Sequence, residues 1–79
     1  MPHYYFHLHN DVEAYDQEGA VFVDLAAARI YAIKQARSLI AATIIEEGRF
    51  ALHHSIDIAD GDRTVLDTLP FSEALEIEP

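Results

Sequence analysis

The residues from Leu25 to Glu47 contain neither glycine nor proline, and nine of them are alanine or leucine. Such a run favours a helix, because nothing in it removes an amide donor or loosens the backbone. Asp24 stands where an N-cap belongs, its carboxylate placed to accept from the free N–H groups of the first turn. Gly48 stands where a helix ends on a residue in the left-handed conformation. Within the run, Leu25, Ala28, Ala32, Ala36, Leu39 and Thr43 recur at spacings of three and four. Ile40 flanks this stripe, with Ile33 and Ile44 further out on the same side. The alanines would let the helix axis approach a sheet closely. Lys34, Arg37 and Ser38 lie on the opposite side and are expected in solvent.

The flanks alternate instead. In His3 to His9, the residues Tyr4, Phe6 and Leu8 point one way and His3, Tyr5, His7 and His9 the other. That is the period of a half-buried strand. Asn10 and Asp11 favour a turn, Val12 to Tyr15 reads as a short second strand, and Asp16 to Gly19 as another turn. Ala20 to Val23 is expected as an extended piece leading into the helix. After it, Phe50 to Ala59 alternates again, with Phe50, Leu52, His54, Ile56 and Ile58 in one set and Ala51, His53, Ser55 and Asp57 in the other. Asp60-Gly61-Asp62 is a turn and Thr64 to Leu69 a strand, ended by Pro70, which has no N–H to give to a ladder. Phe71 to Ile77 reads equally as a turn of helix, with Ser72 as its cap, or as an extended tail.

The order β-β-α-β-β predicts an α+β fold of two layers. A four-stranded, mainly antiparallel sheet carries one long helix on one face, and the helix is the crossover between two hairpins joined edge to edge. One helix covers one face, so the other is either solvated or buried against a partner.

The chain has 79 residues, which is room for a single domain over residues 1–79. It has 14 acids against five Lys and Arg, a net charge of −9, and 51% hydrophobic residues. That apolar share excludes a disordered acidic tail. The charge argues against nucleic acid and anionic membranes as partners, since both are bound through Lys and Arg. The acids sit mostly in the flanks: residues 1–23 hold four and no base, residues 48–79 seven and two bases, and residues 24–47 three of each. The absence of cysteine removes disulfides and thiolate chemistry. The start, Met1-Pro2-His3-Tyr4-Tyr5, has no basic and apolar regions of a signal peptide, and no run approaches the ~18–20 apolar residues of a membrane span. A cytoplasmic protein is expected.

Several matches then run along the chain in order. The opening Met1-Pro2-His3-Tyr4-Tyr5-Phe6-His7-Leu8 resembles the M-P-x-[YF]-[YF]-F-H-[LV] start of a family of short proteins of unknown function, abundant in soil and plant-associated alphaproteobacteria. Asp16-x-x-Gly19 resembles its first acidic turn and Asp24-Leu25-x-x-Ala28-Arg29 its helix start. Ile56-x-Ile58-x-Asp60 and Val65-Leu66-x-x-Leu69-Pro70-Phe71 resemble its closing hairpin. The chain departs from the pattern at two places. The family has a glycine three residues after the hairpin aspartate, where this chain has Arg63, and a basic residue after the first strand, where this chain has His9. The resemblance implies the fold and no activity, so it carries over no catalytic residue.

Four groups of residues could carry chemistry. His7 and His9 lie two apart on one strand face, about 6.5–7 Å from each other, and could share a divalent metal such as Zn, Ni or Cu. His53 and Asp57 would complete that site if the first and third strands were neighbours. The plainer reading is an interface of ring residues, His3, Tyr5, His7 and His9, on the open sheet face. His7 alone among the histidines belongs to the family pattern, and its ring is expected to bond across the sheet or to the Asp16 turn. His54 falls in the core-facing set and is expected half-buried. Asp57, Asp60, Asp62 and Asp67 are oxygen donors, but their spacing is not that of a calcium loop, and turn chemistry accounts for them. Ser38, Ser55 and Ser72 have no identifiable base, and no glycine-rich phosphate loop is present. The expectation is a non-enzymatic module without a cofactor, which self-associates or binds another protein through the open sheet face. The alternatives are a metal-binding protein and an acidic, antitoxin-like regulatory partner.

Overall fold

A computed structural model describes residues 1–9 and 13–76. The expected turn at Asn10 and Asp11, and the residues Val12 and Ile77, lie outside the described residues. The elements are β1 (His3–His9), β2 (Ala20–Val21), α1 (Leu25–Glu47), β3 (Ser55–Ala59) and β4 (Val65–Pro70), followed by a 3-10 turn over Phe71–Glu73. The four strands form one sheet in the order β2-β1-β3-β4, and every pair is antiparallel. This is the expected α+β architecture, with the two hairpins joined where β1 lies against β3. No helix among the described residues is long and apolar enough to cross a membrane.

The 23 residues of α1 form as one helix because both ends are capped as their residues dictate. The Asp24 carboxylate accepts from the N–H of Ala27 at 2.9 Å. Gly48 takes φ +71° and returns its N–H to the carbonyl of Ile44 at 2.8 Å. Ala28, Ala32 and Ala36 are fully buried and Ile40 nearly so, at spacings of four. With only a methyl group at three contact positions, the helix lies close on Ile56, Ile58 and Leu69 of the sheet. Burying each of these side chains contributes roughly 1.5–3 kcal/mol. Phe6, Phe22 and Tyr31 pack ring on ring at one edge of this core, with centroids 4.9–5.9 Å apart.

The expected stripe needs one correction. It runs through Ala36 as read, then continues to Ile40, while Leu39 is exposed and Thr43 half-buried. Steps of four slightly exceed the 3.6-residue turn, so the contact line drifts round the helix. Arg37 also reaches beyond solvent, its Nε donating to the Ala74 carbonyl at 2.7 Å. Arg29 joins α1 to β4 and the 3-10 turn through Asp67 at 2.6 Å and Glu73 at 2.7 Å.

Two strands differ from the sequence expectation. The second strand is Ala20–Val21, paired with Tyr4 and His3; of the stretch read as that strand, the described residues 13–15 form no strand. From that stretch, Ala14 makes an isolated bridge to Leu8, with bonds of 2.8 and 3.0 Å. Gly19 decides the matter. It takes φ +64°, and a Cβ there would stand 2.5 Å from the Tyr4 carbonyl and 2.7 Å from the His3 ring. The chain can therefore swing against β1 just before Ala20. The third strand begins at Ser55 and not at Phe50. Ser55 faces His9, the last residue of β1, and Pro70, the last of β4, and before it only the His54 carbonyl adds a bond, from the Phe71 N–H at 2.8 Å. Phe50 and Leu52 are accordingly exposed.

The β3–β4 turn puts Arg63, where the resemblance implied a glycine, in a conformation that favours one. The Arg63 N–H donates to the Asp60 carbonyl, and Asp60 N–H to the Thr64 carbonyl, which makes a three-residue loop. Such a loop ends in a left-handed residue, and Arg63 has φ +65°. The residue three after Asp60 is thus the position at which glycine is free of steric cost.

These backbone positions yield three predictions, all read by urea unfolding. Gly19→Ala lowers stability by about 2–3 kcal/mol, through strain and the close carbonyl. Gly61→Ala, with open space around its Cβ, stays within about 0.5 kcal/mol of the parent. Arg63→Gly raises stability by about 0.5 kcal/mol, the left-handed strain relieved being partly offset by the freer unfolded chain.

Candidate functional site

With α1 against Tyr4, Phe6, Leu8, Ile56 and Ile58, the alternate residues of β1 and β3 form the opposite face. His3, Tyr5, His7 and His9 stand in a row on it, as their alternation requires. The β1–β3 register sets His7 opposite Asp57 and His9 opposite Ser55. A shallow depression of about 830 Å³ lies here. Its floor is Tyr5, His7, His9 and Asp57; one wall is Tyr15, Asp16 and Gln17, the other Asp60, Gly61, Arg63 and Val65.

The row is hydrogen-bonded into its surroundings. His3 Nε2 lies 2.7 Å from the Glu18 carbonyl, and its ring stacks on Tyr5 at 5.0 Å. His7 Nδ1 accepts from the Asp16 N–H at 3.0 Å, which is the second of the two bonds expected from sequence, across the sheet or to the Asp16 turn. Tyr15 lies edge-on to the same ring at 5.4 Å. His9 is placed between two carboxylates, with Nε2 2.6 Å from Asp57 and Nδ1 3.3 Å from Glu13. Asp57 also accepts from the Thr68 hydroxyl at 2.8 Å, and Glu13 from the Tyr15 hydroxyl at 2.7 Å.

The electrostatics follow from these contacts. The hydrogen bond to Asp57 raises the His9 pKa above the ordinary histidine value; partial burial opposes it, while the Asp57 charge and Glu13 add to it. The Tyr15 hydroxyl, then His9, lower the Glu13 carboxyl. Burial alone would raise Asp16, but the N–H groups of Gly19, Phe6 and Glu18, with the nearby His7, outweigh it and leave the carboxyl below its ordinary value. Asp16 thereby ties its own turn to the edge of β1, through Phe6 N–H at 3.2 Å and Gly19 and Glu18 N–H at 3.1 Å.

Of the candidate metal ligands, His9 and Asp57 are in contact, His7 is the register partner of Asp57 on the same face, and His53 stands apart. His53 is exposed in the turn before β3, its ring against His54 at 4.5 Å. Among the described residues, no three His, Cys, Asp or Glu are gathered to hold a metal ion. His9 has a carboxylate at each nitrogen and His7 has its Nδ1 engaged, so these rings serve the fold first. His54 is half-buried as expected, its ring packed on Phe71 at 5.7 Å. The acidic turn is accounted for by backbone bonds, since Asp60 Oδ1 accepts from the N–H groups of Asp62 and Thr64.

Glu13, Tyr15, Thr68 and Arg63 were not identifiable as site residues from sequence. Glu13 and Tyr15 reach the face through the loop that returns along β1. Thr68 and Arg63 arrive with β4 and its turn, and no local pattern marks any of the four.

The sheet edges offer little to a further strand. The Phe6 N–H is taken by Asp16 and the Thr68 N–H by its neighbour Asp67 at 2.9 Å. Pro70 has no N–H, and β2 is two residues long. Edges treated in this way resist strand addition.

No curated protein and no solved structure matches the chain. Residues 3–72, from the start of β1 into the 3-10 turn, match the profile of a domain of unknown function, DUF6894, and the chain belongs to that family.

Proposed function

We propose that this protein is a non-enzymatic interaction module, which binds a protein partner, first of all a second copy of itself, across the open face of the sheet. The observation that carries this reading is the row His3, Tyr5, His7 and His9 on the face that α1 leaves uncovered. Ring side chains combine a large apolar surface with a polar tip, which suits a face that alternates between water and a partner. The blunted edges favour face packing over strand addition. The carboxylates at this face are held by Thr68, Tyr15, His9 and backbone N–H groups, so little bare negative charge opposes a like copy. A domain of this size also gains stability from burying a second face. The net charge of −9 argues against nucleic acid and anionic membranes as partners, and the cysteine-free composition suits a reducing cytoplasm.

Sedimentation at micromolar concentration tests the reading. A dimer is expected. Tyr5→Glu, at the centre of the row, weakens it at least about tenfold, the cost of burying an unpaired carboxylate. Ile30→Glu, on the exposed side of α1, leaves association unchanged. A parent that sediments as a monomer and retains no partner, or a Tyr5→Glu chain that associates as before, would overturn it.

A further inference from the structure

His7 and His9 stand two residues apart on β1 and hold the same loop, yet their hydrogen bonds require opposite protonation states. The Asp16 N–H donates to His7 Nδ1. A backbone N–H can only donate, so that nitrogen is bare and the ring is neutral, with its proton on Nε2. His9 meets Asp57 at Nε2 and Glu13 at Nδ1. Carboxylates only accept, so His9 holds both at once only with a proton on each nitrogen.

The geometry points to a proton-gated clasp, in which residues 13–19 are fully tied to the sheet only where His7 is neutral and His9 is charged. Above that interval His9 keeps one N–H, which stays with Asp57 at the shorter distance, and Glu13 is released, leaving Tyr15 held at its ring by His7. Below it, a protonated His7 turns an N–H toward the Asp16 N–H, and that bond is lost. The other groups that face the two rings are the Asp16 carboxylate, Tyr5 and Tyr15, with Asp60 and Arg63 across the depression.

The sign at each limit follows. Because the His9 pKa is raised, its contribution is complete below the ordinary histidine value and is lost as pH rises through the raised one. Asp16, lowered by its N–H donors, keeps its charge and its bonds to Phe6, Gly19 and Glu18 on the acid side, so what is lost there is the bond at His7 Nδ1. Residues 15–17 line the depression, so its rim loosens at either limit, while the Asp16 carboxylate and the Ala14 bridge still hold the loop to β1. None of this depends on what the depression binds.

Ring-nitrogen NMR of the full chain between about pH 5 and pH 9 reads both rings directly, and amide exchange at Asp16 and Ala14 reads the loop. Near pH 7, the expected result is a His7 ring bare at Nδ1 and a His9 ring protonated at both nitrogens. Protection of the Asp16 and Ala14 amides, corrected for intrinsic exchange, falls about tenfold toward each end of the range. His7→Asn, which sets an amide oxygen near the place of Nδ1, keeps the loop protected and removes the acid limit. His9→Gln removes the alkaline limit. A His7 ring protonated at Nδ1 near pH 7, a neutral His9 there, or protection that is flat across the range would overturn the proposal. The spectra of the parent chain suffice for this if either variant fails to fold.

Discussion

A single helix can cover only one side of a four-stranded sheet, and most of this molecule follows from that. Three alanines at the contact line bring α1 down onto Ile56, Ile58 and Leu69. The side chains that alternate with those core residues are then left on the far face, where His3, Tyr5, His7 and His9 form a row. A larger side chain in place of any of the three alanines would lift the helix and open the core, because packed interiors do not absorb extra volume cheaply.

The far face is polar, but its polarity is mostly used internally. Asp16 spends its carboxylate on three backbone N–H groups, Asp60 spends one oxygen on two, and Asp57 and Glu13 share His9. The high negative charge of the chain is therefore largely a matter of turns, caps and clasps, and it is not concentrated as an acidic binding stripe. The loop between β1 and β2 is held by the histidines of the same face that it borders. Whatever this face contacts will meet a surface whose shape depends on two rings.

Much of the fold was legible from local pattern. The helix and both caps followed from Asp24, Gly48 and an unbroken run of helix formers, and β1 followed from its alternation. What failed did so for non-local reasons. Phe50 to His54 alternates like a strand, but pairing stops at Ser55 because the neighbouring strands have run out. Val12 to Tyr15 looked like the partner of β1, yet Ala20–Val21 takes most of that role because Gly19 permits an approach to the Tyr4 carbonyl that no side chain would allow. Arg63 stands where the resemblance implied a glycine, and its left-handed backbone shows why glycine would suit that position.

The site divides along the same line. Alternation in the sequence alone placed His3, Tyr5, His7 and His9 together, because residues two apart on a strand must share a face; of the two bonds expected for His7, across the sheet or to the Asp16 turn, the structure makes the second. Only the tertiary structure brought Asp57 to His9, left His53 outside, and added Glu13, Tyr15, Thr68 and Arg63. Those contacts join residues distant in the chain through strand order and turn geometry. The period of a sequence determines which way a side chain points, and the pairing of strands decides what it meets.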